Sequence, residues 1–248
     1  MPRTKKQTEG EIVINLNTFA IPIAIIVAGL LIAVGIFFAN KGKDTQPNTQ
    51  GTETTTATED KFTATTTTVD DDPYLGDKDK VKVAVVEFSD FQCSYCKRHS
   101  DEVFPLIKSE YIDTGKIVYV FRDYQFFGGL SIDAAMGGQC LYDLTGKDNS
   151  KYAEYHKGIF GLTSKDAITT LAKTLGVDES KFKACMDATK YSEEISKDQT
   201  DGTTAGVTGT PGFVVGVLKA DGTVEGKFVG GAYPIESFRT LIDEMLAK

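Results

Sequence analysis

The sequence predicts an α/β domain in which a strand–helix–strand unit and a terminal hairpin with its helix flank a helical block, the whole preceded by an apolar span and a polar linker. Three observations carry this prediction. The β-branched run Val81–Phe88 leads into Cys93-Ser94-Tyr95-Cys96 at the start of a helical pattern. A second apolar run, Ile117–Phe121, follows that helix at a spacing suited to a right-handed parallel crossover. Near the C terminus, Phe213–Leu218 and Val224–Val229 bracket Asp221-Gly222, a hairpin signal, and an amphipathic pattern closes the chain.

Size and charge narrow the function classes. Of 248 residues, about 175 remain for packing once the N-terminal quarter is set aside, which suits one domain. A net charge of −8 with no basic stripe excludes a nucleic-acid partner. Four cysteines are too few for a disulfide-dense miniprotein and suggest one active pair with perhaps one structural pair. The two histidines, His99 and His156, are far apart, which leaves little material for a metal-dependent hydrolase.

The N-terminal region reads as a membrane anchor. No charge interrupts Ile12–Asn40, and residues 18–40 are long enough as a helix to cross a hydrocarbon core of about 30 Å. Pro22 falls in the first turn, where its missing N–H costs little. Arg3, Lys5 and Lys6 precede the span and Lys41 and Lys43 follow it, so the charge bias places residues 1–17 in the cytoplasm by a slim margin. Ala33-Val34-Gly35 could serve as a signal-peptidase site, but Ile36-Phe37-Phe38 still follows it inside the apolar run, so an uncleaved anchor is expected. Residues 41–73 read as a disordered Thr-rich linker, since half of the positions from Thr45 to Thr68 are threonine and no apolar periodicity survives there. Asp70-Asp71-Asp72-Pro73 marks the boundary of a folded region, 74–248.

Within that region the elements follow in order. Val81–Phe88 is a buried strand, and Tyr95–Tyr111 is a helix with apolar residues at Val103, Leu106, Ile107 and Tyr111 that Pro105 should kink. Ile117–Phe121 is the second strand. Helical signals then run from Ser131 to about Ala205, with Ala134–Leu144, Tyr152–Phe160, Ala167–Leu175 and Glu179–Met186 separated by Gly146, Gly161 and Gly176. The hairpin follows, and Ile235–Leu246 is an amphipathic helix.

The chemistry is concentrated at Cys93 and Cys96. A strand that delivers two cysteines to the first turn of a helix exposes the first of them to unsatisfied N–H groups and a partial positive charge, which stabilises a thiolate. Two intervening residues let Cys96 reach back and close a disulfide. A zinc site would require a second closely spaced ligand pair, and Cys140 and Cys185 stand far apart in sequence. A metal carrier using Cys93, Cys96 and His99 is the rival of another class. His99, one turn beyond Cys96, could add positive charge beside the thiolate, although such a residue is more often a solvated helix position. His156 is expected to be structural. Glu87 lies in an apolar strand, where a carboxyl is either exposed or buried and functional, and its neighbours favour burial. Gly209-Thr210-Pro211-Gly212 read alone is an ordinary turn.

Taken in order, these segments resemble the thioredoxin superfamily and, within it, the DsbA-like thiol–disulfide oxidoreductases with a helical insertion, here about 128–205. The resemblance covers roughly residues 80–248. It rests on Glu87-Phe-Ser-Asp-Phe-Gln-Cys-Ser-Tyr-Cys96, on Gly206-Val-Thr-Gly-Thr-Pro-Gly-Phe213, and on the intervening helical block with Cys140 and Cys185. It implies that Cys93 is the exposed nucleophile and Cys96 the more buried resolving partner. Glu87 would exchange a proton during the reaction. Ser94 and Tyr95 would tune thiolate stability, and this dipeptide differs from the Pro-His of strong periplasmic oxidants and the Gly-Pro of thioredoxins. Pro211 would be cis beside the disulfide, with the Thr210 backbone pairing an extended substrate segment. Cys140 and Cys185 could be free thiols, a second shuttle or a structural disulfide, and related proteins favour the last.

The expected activity is disulfide transfer to reduced exported proteins by a single-pass membrane protein whose catalytic domain is extracytoplasmic. Reoxidation would come from a membrane partner that passes electrons to a quinone. A reductase or isomerase would use the same residues; isomerases usually carry a dimerisation module, none appears in the linker, and a monomer is expected. No metal or cofactor beyond the redox-active disulfide is called for.

Overall fold

The computed structural model describes residues 62–248. The expected cytoplasmic tail 1–17, membrane span 18–40 and first part of the linker lie outside the described residues. Among the described residues no helix is long and apolar enough to cross a membrane.

Six strands form one sheet: β1 (Thr63–Thr68), β2 (Tyr74–Leu75), β3 (Val83–Ser89), β4 (Val118–Asp123), β5 (Gly212–Leu218) and β6 (Thr223–Gly230). Their order across the sheet is β1-β6-β5-β3-β4-β2. β3 and β4 run parallel, as the crossover requires, and the other pairings are antiparallel. Central β3 is buried along its whole length because both faces are covered. Alternate residues feed opposite layers: Val83 and Val85 pack with Tyr119, Phe213 and the C-terminal helix, whereas Ala84, Val86 and Phe88 pack with Val120, Val214 and Val207.

The linker expectation fails at its end. Thr63–Thr68 is a strand in register with β6 from Thr63↔Phe228 to Thr68↔Thr223, so the folded region begins before residue 74. Threonine explains both readings. Its β-branch favours extended pairing, while a strand that buries a single side chain, Thr67, carries no apolar alternation for a sequence pattern to detect.

Helix α1 follows the cysteine motif in four stretches, α-helical at Ser94–Arg98 and Phe104–Ile107 and π-helical at His99–Val103 and Lys108–Ile112. The kink expected at Pro105 thus takes the form of widened turns on either side of it, since proline has no N–H for the preceding turn. The helical block contains α2 (Leu130–Leu144), α3 (Asn149–Ile159), α4 (Lys165–Thr174), α5 (Glu179–Asp187) and α6 (Ser192–Thr204). Asp148, Ser164 and Asp178 cap α3, α4 and α5 through their side chains. α6 was not separately legible, because Ile195, Asp198 and Gly202 are its only buried residues and they make no apolar stripe. Gly202 lets α6 lie against the sheet: a Cβ there would come within 2.8 Å of the Phe88 and Tyr124 rings. The chain ends with α7 (Ile235–Leu246), whose Phe238, Leu241, Ile242 and Met245 are buried.

Cys140 on α2 and Cys185 on α5 form a disulfide across a sequence separation of 45 residues. In the chain-entropy account, closing a loop of that size stabilises the fold by up to about 4 kcal/mol. Where β4 ends, the guanidinium of Arg122 is fully buried among carboxylates, at 2.6 Å from Asp70, 2.7 Å from Asp72, 2.7 Å from Asp201 and 3.8 Å from Asp198. This cluster joins the segment before β2, the sheet and α6.

Candidate active site

β3 ends at Ser89, and a tight turn passes the chain to α1. The Asp90 backbone carbonyl accepts from Cys93 N–H at 3.0 Å, and Asp90 Oδ1 accepts from Gln92 N–H at 2.7 Å. The same buried carboxylate also accepts from the Ser131 hydroxyl at 2.7 Å and from the backbone N–H groups of Phe126 and Phe127 at 2.7 and 3.0 Å. Asp90 therefore fastens the cysteine turn to the entry of the helical block. Its sequence position, three residues before Cys93 in a strand-to-helix turn, was the available signal for it.

Cys93 occupies the N-cap position of α1 with extended backbone angles, and Cys96 lies one turn in. Both are free thiols. The expectation that Cys93 is exposed is corrected: 4% of its surface is accessible against 0% for Cys96, so the order holds but neither is open. Packing explains this, since both sulfurs join the apolar cluster of the helical block with Phe91, Ala135 and Tyr155. The Cys93 thiol donates to the Thr210 carbonyl at 3.3 Å. The Thr210–Pro211 bond is cis. Ser94 and Tyr95 are exposed, and the Arg98 guanidinium stacks over the Tyr95 ring at 5.0 Å.

The two thiols have opposite acidities. A hydrogen bond from Cys96 lowers the Cys93 pKa to about 5, against the opposing effect of burial, with further help from the Thr210 side chain and the backbone N–H groups of Cys96 and Tyr95. Burial pushes Cys96 far above the free-thiol value, and proximity to Cys93 adds to that rise. A nucleophile ionised at neutral pH thus stands beside a partner that holds its proton.

A buried polar group gathers around Glu87 on β3. Glu87 is fully buried, and loss of hydration raises its carboxyl to about 7 despite the hydrogen bond from Tyr119. Tyr119 O–H donates to Glu87 Oε2 at 2.8 Å, and with that proton committed, His99 Nε2–H donates to the phenol oxygen at 3.1 Å. His156 Nε2 lies 3.7 Å from Glu87 Oε2. Burial holds His156 at about 3, and burial together with the His156 charge does the same to His99. Both readings of His99, a solvated helix position and a positive charge beside the thiolate, are therefore corrected. The widened turn of α1 points its ring into the core against Phe213 and Phe238, where it stays neutral. His99, with its ring turned away, does not group with Cys93 and Cys96 as metal ligands among the described residues.

The Glu87 carboxyl makes stability depend on pH. Its folded value near 7 exceeds its ordinary 4.5, so the stabilising contribution is complete below pH 4.5 and is lost as pH rises through 7, a change of about 3 kcal/mol. The two histidines act oppositely, stabilising above pH 6.5 and losing that contribution as pH falls toward 3. Glu87→Gln is expected to make the protein about 3 kcal/mol more stable than the parent at pH 8 and nearly equal at pH 4.5. Denaturant unfolding at both pH values checks this; parallel pH profiles would mean that the carboxyl ionises normally.

The thioredoxin family model matches residues 68–244. A Rickettsia felis protein named for protein-disulfide oxidoreductase activity is 27% identical over 186 residues, covering 71% of this chain and 61% of its own length. A Bacillus cereus protein named for disulfide bond formation is 30% identical over 148 residues, with 56% and 67% covered respectively. The chain thus spans about six-tenths to two-thirds of the length of these relatives. The crystal structure of Wolbachia pipientis alpha-DsbA1 superposes with a TM-score of 0.63 at 25% identity, covering 72% of this chain and 92% of that one. With the family model covering most of the chain and a DsbA structure sharing its fold, the chain belongs to the thioredoxin family and is DsbA-like within it.

Proposed function

We propose that this chain is an extracytoplasmic thiol–disulfide oxidoreductase that donates its Cys93–Cys96 disulfide to reduced cysteines of exported proteins. The observation that carries the reading is the asymmetry of the pair, with Cys93 held near 5 and Cys96 held protonated. A stabilised Cys93 thiolate favours the reduced enzyme, and a couple whose reduced form is stabilised is an oxidant. This favours disulfide donation over the reductase or isomerase direction.

In this reading the Thr210 carbonyl, already within reach of Cys93, belongs to the backbone edge on which an extended client segment docks beside Pro211. Ser94 and Tyr95 contribute the exposed rim of the site. Residues 18–40 would tether a monomer to the bilayer, and a quinone-linked membrane partner would return the enzyme to its disulfide form.

The test is redox equilibration of the purified full-length protein with glutathione buffers, read by alkylation of Cys93 and Cys96. The expected potential lies above about −180 mV, and the oxidised protein should restore disulfides to a reduced, unfolded client. A potential near that of thioredoxin, about −270 mV, would assign the reductase direction instead.

A further inference from the structure

A closed chain of contacts runs along one border of the cysteine site. The Cys93 thiol meets the Thr210 carbonyl, and the carbonyl of the next residue, Pro211, accepts from Gly231 N–H at 2.8 Å. The neighbouring Ala232 carbonyl accepts from Arg98 Nη2 at 3.0 Å. The Arg98 guanidinium in turn lies over the Tyr95 ring at 5.0 Å, and Tyr95 is two residues beyond Cys93 on α1. Arg98 is thus brought to the edge of the redox site from two sides, by its own helix and by the loop that follows β6.

This guanidinium is held in place but not neutralised. It is exposed and forms no ion pair among the described residues, whereas Lys97 beside it is paired with Asp101. The acids nearest to the cysteines in sequence, Glu87 and Asp90, are buried and bonded within the fold. One N–H of the Arg98 fork is given to Ala232, and the others have no acceptor among the described residues. A planar fork with free donors matches a carboxylate, and one already fixed by a stacking ring and a backbone carbonyl loses little freedom when it binds.

We propose that Arg98 selects clients that carry an acidic side chain close to the reacting cysteine. The inference rests on the exchange reading above and names the client class of that same site. When a client thiolate attacks Cys93 Sγ, the residues one to three positions from the client cysteine lie within about 11 Å of it along an extended chain and pass this border. A carboxylate there gains a charge-assisted contact with Arg98, and a lysine or arginine there meets a like charge. The net charge of −8 acts the other way at long range, since it attracts basic chains. A preference for acidic clients is therefore a local property of this guanidinium and not of the surface as a whole.

The experiment measures loss of the oxidised form of the full-length protein, in an uncharged detergent, by rapid quenching and alkylation. The reductants are blocked pentapeptides with one central cysteine flanked on both sides by glutamate or by lysine. Each rate is divided by that of the same peptide with hydroxyethyl disulfide, an uncharged reference, which removes the effect of the flanking residues on the thiol itself. At about 0.15 M salt, where charges reach only about 8 Å, the parent should favour the acidic peptide by about threefold to fivefold. Arg98→Gln, which keeps a donor for the Ala232 carbonyl, should bring the ratio to about one, Arg98→Lys should retain most of it, and Arg98→Glu should invert it. At about 1 M salt the parent's preference should disappear. A parent ratio near one, or a parent-like ratio in Arg98→Gln, would overturn the proposal. Equal slowing of both peptides by Arg98→Gln at an unmoved ratio would also overturn it, by making Arg98 only a brace for the loop after β6. Failure of every peptide to reduce the parent would instead refute the exchange reading on which it rests.

Discussion

Cys93→Ser is expected to abolish disulfide exchange, whereas Cys96→Ser, which has no disulfide to donate, should accumulate mixed disulfides formed when its Cys93 thiolate attacks client disulfides. The asymmetry of the site requires this difference. Cys93 is the sulfur ionised near pH 5 and in contact with the Thr210 carbonyl, so of the two it is the nucleophile. Cys96 is completely buried and retains its proton, so it does not attack a client; it leaves Cys93 when the disulfide is donated and attacks Cys93 Sγ to release an adduct in the reverse direction. Loss of the nucleophile should reduce turnover to background. Loss of the resolver should leave covalent adducts that survive non-reducing electrophoresis and vanish on reduction. Adducts with Cys93→Ser, or full turnover by Cys96→Ser, would reverse or refute the assignment.

The second large effect is on stability. Arg122→Met should destabilise the fold by about 3–5 kcal/mol, because it preserves much of the volume but removes the positive charge that buried carboxylates face. Burial opposes the Arg122 charge, but Asp72, Asp198 and Asp70, with a hydrogen bond to Asp201, outweigh it and keep the guanidinium protonated. Burial raises Asp72 and Asp198, each pushed further by neighbouring carboxylates, and Arg122 is the group that pulls both down. Without it these acids should take up protons, so the loss should be largest at neutral and alkaline pH and smaller near pH 4. Chemical unfolding of the variant at the two pH values is the measurement. A variant as stable as the parent at neutral pH would show that the cluster contributes specificity of packing rather than stability.

The core of the sheet was legible because burial on both faces writes a continuous apolar run, and Val81–Phe88 anticipated Val83–Ser89. The amphipathic stripe of Ile235–Leu246 gave that helix its observed limits. What stayed hidden depended on contacts between distant residues. Arg122 meets Asp201 across 79 positions, and nothing local marks either as half of a buried pair. Asp90 lay within the motif that identified the site, yet its partners Phe126, Phe127 and Ser131 come from beyond the next strand. His99 was misjudged for a different reason. Sequence gives the distance along a helix from Cys96 but not the direction of the ring, and here that direction is inward.

The edges of the sheet bear on how such a protein survives its own clients. Unfolded chains with exposed extended segments adhere to any accessible strand, and repeated encounters invite irreversible aggregation. At one end of the sheet β2 has two residues, too few to template an added strand. At the other, β1 offers threonine side chains and buries only Thr67, a hydrophilic border with little apolar surface to reward adhesion. Under the proposed function, a client chain would thereby be left with covalent capture at Cys93, which is reversible, as the productive way to linger. The threonine strand would then serve as an anti-fouling margin for a surface that meets sticky polypeptides and lets them go.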